Sequence, residues 1–260
     1  MQLQGKTALI AGAGRNNGKA IALTYAREGA DVILVAKTRG DDLNQVAKEC
    51  EALGVKALPL LADVGKHEEV NRVVRLGLER FGKVDALVCA TGIRPHKLFW
   101  DYSYEEWQEV FAVNLHSTFF FAKALAPSMI RRKTGNIIAI GSVASLAARP
   151  TAAVEVASKH GLYGIIKSLA LELGPHGVRA NLLAIAFIEN ERLHPEWYPN
   201  PDGTLKDKHS EAYLSAERAN TPLRRIGQPQ EVANVALFLA SEQSSYITGA
   251  GIVCAGGRYM

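Results

Sequence analysis

Short, almost wholly apolar runs rich in β-branched residues alternate along this chain with longer stretches in which apolar positions recur every three or four residues. Residues 8–10, 32–36, 57–61, 84–90, 136–140, 181–185 and 251–254 read as strands, and helices are expected over 18–29, 41–53, 66–81, 104–131, 154–174 and 229–240. Strands that are apolar nearly throughout are buried on both faces, so helices must cover both sides of a parallel sheet. The pattern predicts an α/β fold: a single doubly wound Rossmann-type domain over residues 1–260, with a seven-stranded parallel sheet and ligands bound beyond the carboxyl ends of its strands. Residues 189–222 break the alternation. They are rich in Pro, Asn, Asp and Gly yet carry Trp197, Tyr198 and Tyr213, the composition of a substrate loop or lid.

Composition narrows the partners. With 260 residues, 48% of them hydrophobic and 22% charged, the chain can build one ample core. The net charge is +4, and the 30 Lys and Arg are scattered, which argues against a nucleic-acid partner and leaves a small-molecule substrate. Cys50, Cys89 and Cys254 are odd in number and contain no C-x-x-C pair. They read as free thiols of a reducing cytoplasm, with neither a disulfide framework nor a metal site. The first strand starts too early for a signal peptide, and no apolar run reaches membrane length, so no membrane partner is expected.

The first chemical motif is Ala11-Gly12-Ala13-Gly14-Arg15-Asn16-Asn17-Gly18, between a strand and a helix. Glycines let the backbone turn sharply and approach a diphosphate, and the following helix aims unpaired N–H groups at it. At the end of the second strand a carboxylate would bond an adenosine 2′-hydroxyl, whereas cations would take a 2′-phosphate. Lys37 and Arg39 stand there with no acid before Asp41, and Arg15 can converge on them, so NADP(H) is the expected cofactor.

These features resemble the short-chain dehydrogenase/reductase family over nearly the whole chain. Gly12 and Gly18 match its G-x-x-x-G-x-G, with Asn16 at the middle glycine; Asp63-Val64 resembles its adenine-contacting pair; and Ala90 and Gly92 keep the small residues of its fourth strand, although Cys89 and Thr91 depart from the usual polar pattern. Ser142 lies thirteen residues ahead of position 155, the separation of the family's substrate-polarising Ser from its catalytic Tyr, and Lys159 is in register with the family Lys. Position 155 itself is Glu. Beyond the sixth strand Ile185-Ala186 replaces the expected Pro-Gly, with Ile188 and Asn190 near the usual cofactor contacts, and Thr248-Gly249 and Gly256-Gly257 close the match.

The resemblance implies hydride transfer between NADP(H) and a carbonyl/alcohol pair. Ser142 would polarise the oxygen, Glu155 would stand at the proton-transfer position, Lys159 would hold the ribose and Asn114 would support a proton relay. Arg94, His96, Phe99 and Trp100 follow the fourth strand, where substrate pockets open in this fold, so His96 and Trp100, with Trp197, are the expected substrate contacts. A homotetramer is implied too, with the apolar run 232–239 and the glycine-rich C-terminus as its expected surface. Glu155 admits several readings: a surface Glu–Lys pair with Lys159 worth a few tenths of a kcal/mol, an ionised general base, or a buried carboxyl raised into the range of a proton donor. The alternatives to hydride transfer are a non-redox enzyme using Glu155 as a base and a catalytically silent NADP-binding protein.

Overall fold

The computed structural model describes residues 1–190 and 211–258. Seven strands form one parallel sheet in the order β3-β2-β1-β4-β5-β6-β7. They are β1 (Thr7–Ala11), β2 (Asp31–Ala36), β3 (Ala57–Leu61), β4 (Ala86–Cys89), β5 (Gly135–Ser142), β6 (Val178–Ile185) and β7 (Gly251–Cys254). Register keeps side chains of one parity in rows across the sheet: Leu9 pairs with Ile33 and Leu87, and Leu87 with Ile137. That row belongs to one core layer, whereas Ile10, Leu34, Val88 and Ile138, one residue further on, belong to the other. The period of two along a strand thus divides each apolar run between two cores.

Helices cover both faces. On the first lie α3 (His67–Phe81), α5 (Ser117–Arg132) and α6 (Ala153–Leu173), which contribute Val70 and Val73, Phe121 and Leu125, and Leu162 and Ile166. On the second, α1 (Asn16–Arg27), α2 (Gly40–Glu51) and α8 (Pro229–Ala240) bury Ile21 and Tyr25, Leu43 and Val46, and Val232 and Leu239. Each fully buried Leu or Ile contributes about 1.5–3 kcal/mol. The Tyr25 hydroxyl donates to Ala236 O at 2.8 Å, so the only polar atom of that buried ring side chain is satisfied. Val232, Ala233, Ala236 and Leu239 face the chain's own core, whereas Val235, Leu237 and Phe238 of the same run are only partly buried.

Several elements differ from expectation. The stretch 104–131 is not one regular helix: α4 (Tyr104–Phe111) passes through a π-helical turn (Ala112–His116) into α5. The wider turn is stabilised by side-chain bonds from Asn114, which periodicity does not report. Within 189–222, expected to be irregular, residues Glu211–Ala219 form helix α7. Strand β6 starts three residues early because its polar members find partners: the Arg179 guanidinium donates to Leu239 O and Ile247 O, and Asn181 Nδ2 to Ile247 O.

The amino ends of the central strands are tied by Asp85, which is 9% exposed. Its carboxylate accepts from Thr7 N at 2.9 Å and from Arg132 Nη1 at 2.6 Å. Removing one partner of such a pair leaves a half-buried charge uncompensated. Asp85→Ala is expected to lower unfolding stability by about 3 kcal/mol in urea titration, with the slope unchanged.

Candidate active site

The strand order reverses between β1 and β4, so their connections leave in opposite directions and open a crevice at the carboxyl ends. A cleft of about 430 Å³ lies there. Its first wall is the glycine loop. Gly12 has φ +90°, and a Cβ on it would meet the Ala90 carbonyl at 3.0 Å; a Cβ on Gly18 would lie 1.9 Å from Gly12 O. Asn16 adopts φ 50°, the left-handed geometry Asn tolerates, so the turn forms without its middle glycine. No side chain caps α1 and no acid stands in its first turn, which leaves that helix end open to an anion. Asn17 Oδ1 and Thr91 Oγ1, both on residues lining the cleft, are buried without a hydrogen-bond partner. A close backbone cradle, an uncapped helix end and two orphaned polar atoms fit a dinucleotide.

All the residues expected to hold the cofactor line this cleft: Gly12, Arg15, Asn16, Asn17, Gly18, Lys37, Arg39, Asp63, Val64, Ala90, Gly92, Lys159 and Ile188. The corner around Lys37 and Arg39 is less purely cationic than the sequence suggested. Lys37 Nζ pairs with Asp63 at 2.9 Å, and Arg39 Nη1 lies 3.4 Å from Asp42. Chain order hid this, because Asp63 arrives from the next strand and Asp42 from the first turn of α2. Burial pushes the Asp63 carboxyl up, but the Lys37 bond and the Gly65 N–H outweigh it and hold the group below its usual value.

At the other end stand Ser142, Glu155 and Lys159. Ser142, the last residue of β5, accepts Ala144 N on its hydroxyl oxygen at 3.2 Å, leaving the hydroxyl proton available. Lys159 donates to Ile140 O at 3.0 Å and is 7% exposed. Burial pulls its ammonium down to about 8, the Glu155 carboxylate works the other way, and the nearby Arg94 adds to the fall. Glu155 is 3% exposed. It does not form the surface pair with Lys159: its Oε2 accepts from Arg149 Nη2 at 2.6 Å. Its place in the first turn of α6 also suits a negative charge.

Asn114 lies behind the cleft wall. Its Nδ2 donates to Ile93 O at 3.0 Å and to Ser158 Oγ at 3.1 Å, and its Oδ1 accepts from Ile93 N at 2.9 Å. Ser158 in turn donates to Glu155 O at 2.9 Å, so Asn114 couples the loop after β4 to the first turns of α6. Cys89 is buried, and burial pushes its thiol up to about 12, which leaves it a packing residue. His96 and Trp100 are exposed and do not line the cleft; Trp100 is 76% exposed. Their segment is drawn aside by Lys97 N donating to Thr151 O and by the Tyr102 hydroxyl donating to Pro95 O. Trp197 and Tyr198 lie outside the described residues. Arg149 was missed by sequence reasoning, because an arginine in a loop carries no periodic or motif signal. Among the described residues no helix is long and apolar enough to cross a membrane, and no group of three or more His, Cys, Asp or Glu could hold a metal ion.

A family model described as enoyl-(acyl carrier protein) reductase matches residues 12–258. The chain is 36% identical over 257 residues to a 3-oxoacyl-[acyl-carrier-protein] reductase of Thermotoga maritima, covering 99% of both chains. It is 34% identical over 259 residues to an L-rhamnose 1-dehydrogenase (NAD(P)(+)) of a Sphingomonas species, covering 99% of this chain and 98% of that one. A solved short-chain type dehydrogenase/reductase from Mycobacterium marinum superposes with a TM-score of 0.88 at 32% identity, covering 100% of this chain and 97% of the other. The protein belongs to the short-chain dehydrogenase/reductase family, and these relatives are oxidoreductases.

The Lys159 ammonium, held at about 8 when folded and near 10.5 when not, loses its proton first in the native state. The unfolded chain binds more protons between those values, so folding gains stability as pH rises through that window, by about 3 kcal/mol. Relative to Lys159→Met, the cofactor-free wild type is expected to gain stability from pH 8 to 10.5 in urea titrations, and Glu155→Gln should start that gain at lower pH. A flat difference between wild type and Lys159→Met would contradict the depressed ammonium.

Proposed function

We propose that the protein is an NADP(H)-dependent oxidoreductase that moves a hydride between the nicotinamide and a carbonyl/alcohol substrate, with Glu155 at the proton-transfer position. The observation that carries this reading is the buried Glu155 carboxylate, ion-paired with Arg149 at 2.6 Å on the same cleft as Ser142 and Lys159. NADP(H), when bound, accepts or supplies the hydride. Ser142 uses its free hydroxyl proton to bind the substrate oxygen. Lys159 keeps one proton on Ile140 O and offers the others to the ribose hydroxyls. An ion-paired carboxylate accepts a proton better than it donates one, so Glu155 suits oxidation of an alcohol more than reduction of a carbonyl. Ser158 and Asn114 act at one remove, by fixing the turn on which Glu155 stands.

The names of the relatives, a reductase and a dehydrogenase, support the carbonyl/alcohol class. The same ion pair also supports a second reading, in which Glu155 abstracts a proton with no net redox change. Cofactor absorbance separates the two, because hydride transfer changes the NADPH signal in step with product and proton chemistry does not.

NADPH is expected to bind more tightly than NADH. Lys37 and Arg39 are exposed cations, and such surface pairs as those with Asp63 and Asp42 are worth about 0–1 kcal/mol, which a 2′-phosphate can displace. Fluorescence titration of both cofactors checks this: Arg39→Ala together with Arg15→Ala should reduce the preference roughly tenfold to a hundredfold, and tighter NADH binding in the wild type would reject the assignment.

Glu155→Gln keeps the size but removes the base, and should lower turnover by about 10²–10⁴-fold. Glu155→Tyr should create or increase carbonyl reduction, because a phenol beside Lys159 remains a proton donor at neutral pH. Steady-state kinetics in both directions test the pair; unchanged turnover in both variants would remove Glu155 from the chemistry.

A further inference from the structure

Among the described residues that line the substrate end of the cleft, cations outnumber carboxylates. Glu155 is a carboxylate there, and Arg149 already pairs with it. Lys159 adds a second cation. Arg94 adds a third: it is half-buried, lines the cleft, and makes no hydrogen bond or ion pair among the described residues. Arg258, close by, is paired with Glu217. Tyr213 on α7 lies within electrostatic reach of Arg94, Arg149 and Arg258, and its ring meets that of Phe187, a residue of the cleft wall, at 5.9 Å.

Arg94 is also held in place. Asn114 clamps the backbone of Ile93 on both its N–H and its carbonyl. The chain beyond Arg94 is stitched to the loop that carries Arg149: Lys97 N donates to Thr151 O at 3.0 Å, and the Tyr102 hydroxyl contacts Pro95 O at 2.9 Å and Thr151 O at 3.1 Å. Thr151 has φ 59°, a costly conformation for a β-branched residue, which such ties enforce. A preorganised, half-buried guanidinium without a counterion among the described residues is poorly solvated. Its planar fork matches the two oxygens of a carboxylate or a phosphate.

We propose that the substrate carries an anionic oxygen group, a carboxylate or a phosphate, which Arg94 binds while Ser142 engages the reacting oxygen. This deepens the hydride-transfer reading and rests on it for the reacting end of the substrate. Arg149 contributes by neutralising Glu155, which would otherwise repel the anion.

The test compares 2-, 3- and 4-hydroxy acids with their methyl esters under NADP⁺, the corresponding oxo acids and esters under NADPH, and dihydroxyacetone phosphate with dihydroxyacetone. At least one acid or phosphate is expected to exceed its neutral counterpart in kcat/KM by tenfold or more. Arg94→Gln should bring that ratio close to one, mainly through KM, and Arg94→Lys should recover part of it. Neutral compounds turned over as well as their anions, or a ratio that Arg94→Gln leaves intact, overturn the proposal while hydride transfer stands. If nothing in the panel is turned over, calorimetry of the NADP⁺-saturated protein with succinate, succinamide and inorganic phosphate decides. Binding of succinate or phosphate that Arg94→Gln abolishes supports the anion site and leaves hydride transfer as the failed reading, whereas no binding, or equal binding of succinamide, overturns the anion site.

Discussion

A carboxylate 3% exposed at the head of a helix persists in the fold only if a charge stands beside it, and the loops around the cleft are arranged to bring that charge. Arg149 lies six residues before Glu155, on the loop entering α6, and reaches back to it at 2.6 Å. For the guanidinium to arrive, that loop must be fixed. Tyr102 and Lys97 fix it from the segment after β4, and Asn114 fixes that segment from the π-turn. One hydrogen-bonded chain therefore links the ion pair to features that look unrelated in isolation: the left-handed Thr151, the widened turn at Asn114, and the segment that carries His96 and Trp100.

The sheet and the glycine loop were legible because each is a local pattern with a physical period. Apolar runs buried on both faces require a doubly covered parallel sheet, and Gly12 and Gly18 sit where any Cβ would strike backbone. Asn16 was legible for the same reason, since few residues other than glycine take φ 50° readily. What sequence could not supply was pairing between elements. Spacing offered Glu155 a partner in Lys159, four residues on, but both side chains are buried: Lys159 turned to Ile140 O, and the nearer charge for Glu155 came from a loop without regular structure. Asp63 reached Lys37 in the same way, across strands, and made the cofactor corner less cationic than its own segment implied. Helix α7 was missed because its surroundings are rich in turn-forming residues, and it has no fully buried side chain to betray a helical period.

Lys159 shows how closely the opposing terms are matched. Desolvation pulls the ammonium down most, Glu155 works the other way, and Arg94 adds to the fall. The result, about 8, lies near neutrality, where a modest change in any neighbour alters the fraction charged. A phenol in place of Glu155 would bring no formal charge at neutral pH, so on the proposed reading the carboxylate changes two things at once: the group that handles the proton, and the charge state of the lysine beside it.

Along the cleft, fixed charge is distributed by distance from the sheet's switch point. At the far corner, the exposed cations Lys37 and Arg39 meet Asp63 and Asp42 in pairs that solvent reaches and a ligand can exchange. At the near end, Glu155 and Arg149 form a pair whose carboxylate is largely buried, so exchange there would strand a mostly buried charge. On the proposed reading, reorganisation is therefore inexpensive where the cofactor would enter and expensive where the proton would be moved. An electrostatic environment that does not relax is what a proton-transfer site needs, because stabilisation already in place need not be rebuilt during the reaction. On the proposed reading, the buried ion pair serves catalysis by being the least adaptable contact in the cleft.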